Sequence, residues 1–510
     1  MSPPEHQTGT SSGEYNTRKR IGFFLGPVLC LLILALPGTE SLPAEAQKMA
    51  AVATLMAVWW VCESVPIPVT SLLPIVLFPS LDIMHTKQAS AYYASHIIFL
   101  FMGGFIIALA MQRWNLHKRV ALHIVKAFGM SAPKLVLGFM VATAVLSAFV
   151  SNTATAVMML PVGLAIIAQI REGLQNTPEQ AKNLSNFSLN LMLGIAYGAT
   201  IGGMATLIGT PPNAVLAGYM QTTYGYEISF FDWMKIGVPL ALLMIPLSWW
   251  WLTRVMNPLS SLDLGQSQHV IDQEIAEMKS MSVGEKWTAA IFLLTSTCWI
   301  FKGQVASFFP NPAYLTDGTI AIAGALALFL APTDWRRGEF VMNWQWAVKL
   351  PWGVLILFGG GLALAGGFSE SGLSQWIGNQ TALLGQAPTL LFILAVTVLI
   401  ILLTELTSNT ATTAMIIPIL AAIAIGLEHN PLMLAIPATL AASCAFMLPV
   451  ATPPNAIVFG SGHVSIPEMC RSGFGLNVIG LAVVLTLIYA IGFSIFDIAE
   501  GVMPHWVTVR

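Results

Sequence analysis

Apolar residues fall along this chain in blocks too long for the elements of a soluble core. Read coarsely, they cover 21–37, 49–63, 66–81, 96–114, 135–170, 189–219, 234–256, 287–308, 318–330, 351–368, 390–427, 431–460 and 473–498. None shows the short alternating segments of a membrane barrel. Most approach the roughly 20 residues that carry a helix across a bilayer. The pattern predicts a helical, polytopic membrane protein.

Two blocks do not fit the simple count. Residues 135–170 and 390–427 are too long for one crossing, and two crossings need roughly 40 residues plus a turn. Each carries a polar tripeptide near its middle, Ser151-Asn152-Thr153 and Ser408-Asn409-Thr410. The expected structure is a re-entrant hairpin of two half-length helices whose tip stops inside the membrane. Irregular backbone at that depth is tolerated only against protein or a water-filled cavity, so the tips are expected to line a cavity. The fold class predicted is all-α, with about eleven transmembrane helices plus two re-entrant hairpins.

Composition closes off the alternatives. The 510 residues are 56% hydrophobic and 9% charged, against about 25% charged in soluble domains. A net charge of -2 gives no sign of a nucleic-acid partner, and none is expected. Cys30, Cys62, Cys298, Cys444 and Cys470 lie in or beside apolar runs without ligand spacing, and read as small packing residues. Residues 1–20 read as a disordered cytoplasmic tail. The run 21–37 resembles a leader, with Ala44-Glu45-Ala46 as a cleavage site, but a retained first helix followed by a linker to residue 48 is preferred.

Lysine and arginine orient the crossings. Arg18, Lys19 and Arg20 place the N-terminus in the cytoplasm. The loops with Arg113, Lys118, Arg119, Lys126 and Lys134, then Arg254, Lys279 and Lys286, then Arg336, Arg337 and Lys349 fall on the same side. On this count the first hairpin enters from the cytoplasm, the second from outside, and the C-terminal tail 499–510 lies outside.

The chain also repeats itself. Asn152 and Asn409 are 257 positions apart, as are Leu100-Phe101-Met102-Gly103-Gly104 and Leu357-Phe358-Gly359-Gly360-Gly361. Thr210-Pro211-Pro212-Asn213-Ala214 and Thr452-Pro453-Pro454-Asn455-Ala456 are 242 apart, which leaves 15 extra residues in the first half, assigned to a loop at 171–187. The predicted organisation is a first repeat 49–256, a cytoplasmic linker 257–286 and a second repeat 287–498. The Gly-Gly helices are five crossings apart, an odd number, so the repeats are inverted. Inverted repeats with broken helices mark secondary transporters, and the proline pairs supply the breaks.

The motifs carry neutral polar chemistry. A half-helix starting at Asn152 or Asn409 directs free N–H groups and a positive dipole end at the cavity, where a carboxylate is well placed. Unwound carbonyls, with side-chain oxygens of Ser147, Asn152, Thr404 and Asn409, can coordinate Na⁺. No Lys or Arg occurs in 135–170 or 350–470. A bound dianion therefore lacks a side-chain counter-charge, and co-bound cations solve that problem. Glu405, beside the second tip, is either a functional acid or a buried acid bonding the backbone that holds the hairpin. Glu63 is expected at a helix end at the cytoplasmic surface, His96, His117 and His123 as interfacial polar residues, and Trp59-Trp60 and Trp249-Trp250-Trp251 in the interfacial belt. No His-Glu-x-x-His, Ser–His or paired-Asp arrangement lies in the spans, so an enzyme is not expected.

These residues resemble the divalent anion/sodium symporters, carriers of di- and tricarboxylates and, in some members, sulfate. The resemblance rests on Glu63-Ser64-Val65-Pro66-Ile67-Pro68 with Thr70-Ser71-Leu72-Leu73-Pro74, on Phe101-Met102-Gly103-Gly104-Phe105 running on to Leu116-His117-Lys118-Arg119, and on both Ser-Asn-Thr tips and both Thr-Pro-Pro-Asn-Ala breaks. It covers nearly all of the chain beyond residue 20. It implies a homodimer in a bacterial inner membrane, with a scaffold and a transport domain that slides as an elevator. It implies one sodium site at Ser147, Ser151, Asn152 and the Gly209 carbonyl, and another at Thr404, Thr407, Asn409 and the Ala451 carbonyl. Substrate would meet Asn152, Thr153, Asn409 and Thr410, with Thr210, Thr452 and Pro453 close by. The implied activity is sodium-coupled symport of C4-dicarboxylates such as succinate, fumarate and malate. The alternatives are a sodium-independent exchanger or a sodium-coupled carrier of citrate or sulfate.

Overall fold

The computed structural model describes residues 17–37, 42–129, 131–173, 177–259, 267–381 and 388–508; most of the tail 1–20 lies outside them. The first half runs α1 (Thr17–Ala35), α2 (Ala44–Cys62), α3 (Ile67–Thr70), α4 (Leu73–Ser80), α5 (Thr86–Ala91), α6 (His96–Arg113), α7 (Leu116–Phe128), α8 (Ala132–Ser147), α9 (Asn152–Gly173), α10 (Pro178–Gly203), α11 (Pro211–Tyr224) and α12 (Phe230–Trp250). The second half runs α13 (Ser267–Glu277), α14 (Val283–Ile300), α15 (Lys302–Ala306), α16 (Asp317–Leu330), α17 (Trp344–Ala347), α18 (Trp352–Glu370), α19 (Leu373–Thr381), α20 (Thr389–Thr404), α21 (Asn409–Gly426), α22 (Leu432–Ala442), α23 (Pro453–Phe459) and α24 (Ile466–Leu487). Between α16 and α17, β1 (Pro332–Asp334) and β2 (Glu339–Phe340) form a small antiparallel pair. Among the described residues six helices are long and apolar enough to cross a membrane, and the shorter apolar helices include α8, α16, α20 and α22.

Each long anomalous block is a helix pair broken at its polar tripeptide: α8 and α9 flank residues 148–151, and α20 and α21 flank residues 405–408. The blocks 189–219 and 431–460 are also broken, at 204–210 and 443–452. The predicted loop 171–187 is corrected. Most of it is helix, because Thr177 caps α10 through Gln180 N at 3.4 Å, Pro178 fits the first helical position and Glu179 faces the positive helix end. The 15 extra residues therefore lengthen α10, with 26 residues, relative to α22, with 11.

Two faces of the molecule can be defined from α6 and α18. Gln88, just before α6, is hydrogen bonded to Glu370 at the end of α18, so the two helices are antiparallel. Helix α7 continues from the Arg113 end of α6 into α8, and α19 continues from the Glu370 end of α18 into α20. The two helix pairs thus open on opposite faces. Helix α2 starts near the Glu370 face, where Met49 lies against Gly367, and ends near the Arg113 face, where Pro68 lies against Gly353. Gly103 admits close approach of α16: a Cβ there would lie 2.5 Å from the Ala321 carbonyl carbon.

On the Arg113 face, α7 is tied to the segment between the halves. Lys118 pairs with Glu274 at 2.6 Å, Lys126 with Asp272 at 2.7 Å and Arg119 with Glu285 at 2.7 Å. Arg119 also donates to the carbonyls of Met278 and Lys279 at the end of α13, where a cation complements the helix dipole.

Several residues expected at the interface are held by specific bonds. Glu63 does end α2, in a left-handed conformation. Trp60 is buried and donates to Ile67 O, and Trp249 and Trp251 donate to Pro133 O and Ser472 O. These indoles join elements, because a buried N–H must find a carbonyl. His117 is buried, with Nδ1 2.9 Å from Met111 O.

Candidate functional site

The two halves meet about a local pseudo-twofold relation. Phe101 and Phe358, equivalent at the 257-residue spacing, stack edge to face with centroids 5.0 Å apart. Helix α9 packs on α23, and its equivalent α21 packs on α11. Each broken helix of one half therefore supports the helix pair of the other.

The breaks are held the same way in both halves. Pro211-Pro212 and Pro453-Pro454 start α11 and α23. They remove two N–H groups that a helix start would otherwise orphan in an apolar interior. The following asparagine reaches back along the unwound chain. Asn213 Nδ2 lies 2.8 Å from Thr206 O and 3.4 Å from Gly203 O, and Asn455 Nδ2 lies 3.0 Å from Leu448 O and 3.3 Å from Ala445 O. These carbonyls are equivalent at the 242-residue spacing. Both asparagines are fully buried, and in each the Oδ1 has no hydrogen-bond partner among the described residues.

At the first tip, Ser147 Oγ donates to Asn152 Oδ1 at 2.6 Å. Glycines 203 and 209 close in on the same oxygens. A Cβ on Gly203 would lie 2.6 Å from Asn152 Oδ1, and one on Gly209 would lie 2.4 Å from Gly203 O and 3.0 Å from Ala148 O. Ser147, Asn152 and Gly209 are thus brought together in an oxygen-rich cluster, the donor set a hard cation takes. Ser151 is exposed, and its Oγ accepts from Ala154 N at 3.3 Å to cap α9. Thr153 is exposed and Thr210 is buried at the start of α11.

At the second tip, Thr404 Oγ1 lies 2.7 Å from both Asn409 Oδ1 and Ala442 O, and Ser408 caps α21 through Ala411 N. Thr407 is turned elsewhere: its hydroxyl lies 2.6 Å from Thr412 Oγ1 and 2.8 Å from Leu403 O. Asn409 and Thr410 are half-buried, Ala451 and Thr452 are buried and Pro453 is exposed. Thr452 Oγ1 accepts from Asn455 N at 3.3 Å. At both tips the caps satisfy the third N–H of the helix. The N–H groups of Asn152 and Thr153, and of Asn409 and Thr410, precede it and have no carbonyl within their own helix.

Both tips lie off-centre, toward the Arg113 face. Val150 clusters with Ala108, Met111 and Leu116 near the end of α6, and Phe149 meets Phe292 edge to face with centroids 4.9 Å apart. Leu406 O, at the second tip, accepts from Arg18 at 2.9 Å, and Arg18 also binds Val61 O at the end of α2. The pseudo-twofold symmetry is broken in the same sense. Helix α18 packs against α11 and α21. Ile97, Ala214, Phe358, Leu362, Ala414 and Pro418 leave about 10 Å³ there, too little for an ordered water. The equivalent surfaces of α9 and α23 form no such seam with α6, and Val157 is 53% and the nearby Val450 67% exposed.

The sequence profile of the sodium:sulfate symporter transmembrane region matches residues 18–496. The chain belongs to this symporter family. It is 44% identical over 476 residues to the sodium-dependent dicarboxylate transporter SdcS of Staphylococcus saprophyticus, covering 93% of this chain and 92% of that protein. It is equally identical over 478 residues to SdcS of Staphylococcus aureus strain MRSA252, covering 94% and 92%. Two solved transporters share the fold at low identity. YdaH of Alcanivorax borkumensis has a TM-score of 0.56 and 14% identity, covering 93% of this chain and 98% of that one, and MtrF of Neisseria gonorrhoeae has 0.58 and 11%, covering 96% and 98%.

Four contributors escaped the sequence reading of this symporter. Asn213 and Asn455 stood inside the Thr-Pro-Pro-Asn motif, and their duplicated spacing was the available signal for a shared role. Tyr197, which donates to Phe446 O at 3.0 Å, and Arg18, which reaches Leu406 O, have no local signal in the sequence. Replacing Asn455 by Leu should strand the carbonyls of Ala445 and Leu448 at about 1–3 kcal/mol each. A fall in the thermal unfolding midpoint of the purified protein, matched by Asn213→Leu, is the expected result; an unchanged midpoint would count against this role.

Proposed function

We propose that this chain is a secondary active transporter that carries C4-dicarboxylates (succinate, fumarate, malate) together with sodium ions across a bacterial inner membrane. The observation that carries the reading is the duplicated tip, an oxygen-rich cluster beside helix N-termini, built without any basic side chain of its own. A dianion held by neutral N–H and hydroxyl donors needs mobile counter-charge, and the clusters at Ser147, Asn152 and Gly209 and at Thr404 and Asn409 offer places for it. The 44% identity to sodium-dependent dicarboxylate transporters supports both the ion and the substrate class.

In this reading α8–α9 and α20–α21 are re-entrant hairpins of an inverted repeat, and the chain acts as a homodimer. Substrate binds between Asn152, Thr153, Asn409 and Thr410, under Thr210, Thr452 and Pro453. Sodium takes Ser147, Ser151, Asn152 and Gly209 O in one site and Thr404, Asn409 and Ala451 O in the other. Thr407 joins that second site only after its hydroxyl leaves Thr412. The Arg113 face is cytoplasmic, with the N-terminus inside and the C-terminus outside. Transport is by elevator movement. The displaced tips, the closed seam of α11 and α21 on α18 and the open surfaces of α9 and α23 support an inward-facing state. The outward state then follows from the inverted repeat by exchanging the two seams.

Proteoliposomes should accumulate labelled succinate under an inward Na⁺ gradient and lose that uptake when K⁺ replaces Na⁺; equal uptake in both would sink the proposal. Asn409→Ala should weaken both sodium dependence and apparent succinate affinity by about tenfold, the scale of one lost charge-assisted contact. If neither moves, the assignment of this tip fails. In a cysteine-free background, Phe149→Cys with Phe292→Cys should cross-link readily and arrest uptake, with reduction restoring it. A cross-linked protein that still transports would rule out movement of the first tip past α14.

A further inference from the structure

We infer that Glu405 makes the two cation sites unequal, as a positioning residue whose fixed negative charge gives the Thr404–Asn409 site the higher sodium affinity. The inference rests on the proposed sodium coupling and concerns the division of labour between its two sites.

Glu405 is 4% exposed and forms no ion pair among the described residues. Its Oε1 accepts from Phe446 N at 2.8 Å, Met447 N at 3.0 Å and Asn477 Nδ2 at 2.7 Å, and its Oε2 accepts from Met447 N at 3.1 Å and Leu448 N at 3.2 Å. Every partner is a donor, so a proton on either oxygen would displace an N–H. The carboxylate binds the second unwound segment by its amide hydrogens, which leaves that segment's carbonyls free to turn the other way. Asn455 takes two of them, and the chain continues through Ala451 to the start of α23.

The first half has no such group. The position equivalent to Glu405 at the 257-residue spacing is Ala148, and the position equivalent to Ser443 at the 242-residue spacing is Ile201. There the unwound chain is held by neutral groups: Trp233 Nε1 donates to Met204 O at 3.0 Å, and Thr206 Oγ1 donates to Ala148 O. In the second half, Ser443 Oγ, Asn455 Oδ1 and the Oδ1 of Asn477, whose amide donates to the carboxylate, are buried without a hydrogen-bond partner among the described residues. The asymmetry is therefore in charge: the second break holds a carboxylate, while the first, with Asn213 Oδ1 and Thr155 Oγ1 unpaired among the described residues, holds only neutral groups.

The carboxylate oxygens are saturated by N–H donors and are not sodium ligands. Their charge acts through the field. Glu405 is the chain neighbour of Thr404, and its carboxylate binds the turn that leads to Ala451. A negative charge on the residue next to Thr404 favours a cation in the Thr404–Asn409 cluster over the same cation in the first cluster, which has no such charge. The site in the second half therefore fills at lower sodium concentration than its counterpart at Ser147 and Asn152.

The test uses the full chain in detergent and in proteoliposomes. Sodium alone, without substrate, should raise the unfolding midpoint of the unmodified protein, as any ligand selective for the folded state does. In Glu405→Gln the sodium concentration giving half of that rise should increase about tenfold or more, and the half-saturating sodium for succinate uptake should follow it. The apparent succinate affinity at saturating sodium should stay within about twofold. Asn477→Ala keeps the charge and removes one bond, so its sodium response should stay near that of the unmodified protein even if its midpoint falls. Equal sodium shifts in both variants would overturn the electrostatic role in favour of a structural one, as would no shift in Glu405→Gln. If Glu405→Gln does not fold, Ala148→Glu, which adds the missing charge to the first half, should lower the half-saturating sodium; an unchanged value overturns the inference. Failure of the transport reading shows separately, as uptake by the unmodified protein that ignores sodium.

Discussion

The structure depends on keeping unwound backbone inside a protein made almost wholly of apolar helices. A buried peptide group without a partner costs on the order of 1–3 kcal/mol, and this chain opens its backbone in four places, at 148–151, 204–210, 405–408 and 443–452. The solution is economical in residue types. Two prolines remove N–H groups, one asparagine collects carbonyls, and a serine caps each tip helix. What is left over is a surplus of oxygens facing the tips. On the proposed reading, the cation-binding character of the clusters is a by-product of how the breaks are stabilised, since donors were removed and acceptors were kept.

Pseudo-symmetry carries that solution twice, and departures from it are where function becomes visible. Phe101 touches Phe358 across the local axis, and Asn213 and Asn455 hold equivalent carbonyls. Against that background the closed seam at Phe358 and Pro418 and the exposure of Val157 are informative. A symmetric assembly would bury both surfaces equally. Glu405 opposite Ala148 is a departure of another kind, fixed in the sequence rather than in the conformational state.

Much of this was legible in the chain. The lengths of 135–170 and 390–427 were wrong for one or two crossings, and the only physical remedy was a helix pair broken at the tripeptide. Spacing alone paired the breaks. The length of the insertion was legible, but its structure was not: the 15 residues read as loop because 171–187 is polar, yet Thr177 and Pro178 start a helix whose exposed polar turns extend beyond the apolar block. The carbonyls that take the Trp60 and Trp249 indoles, on Ile67 and Pro133, were not legible, since that pairing depends on the fold. Thr407 was placed by motif position, while its hydroxyl follows Thr412, one helical turn past the tip. Arg18 appeared only as topology, since nothing ties residue 18 to residue 406 before the fold does.

Arg18 also bears on why cations are required. Among the described residues it is the one basic side chain hydrogen bonded to a tip, and it belongs to α1, held to α2 through Val61. On the proposed elevator movement α1 stays while the tips travel, so a guanidinium there cannot accompany an anion across. It can act at one end of the path only. Counter-charge that must move with a dianion has to be carried by the moving body, and the sequence of that body around both tips holds none. As proposed sodium sites, the clusters at Asn152 and Asn409 would satisfy this requirement, because their charge would arrive with the ions and leave with them. Coupling then needs no separate gate that senses sodium. Without the ions the anion site is a set of neutral donors in an apolar surround, too weak to desolvate a dianion. With them it becomes an ion cluster whose parts hold one another.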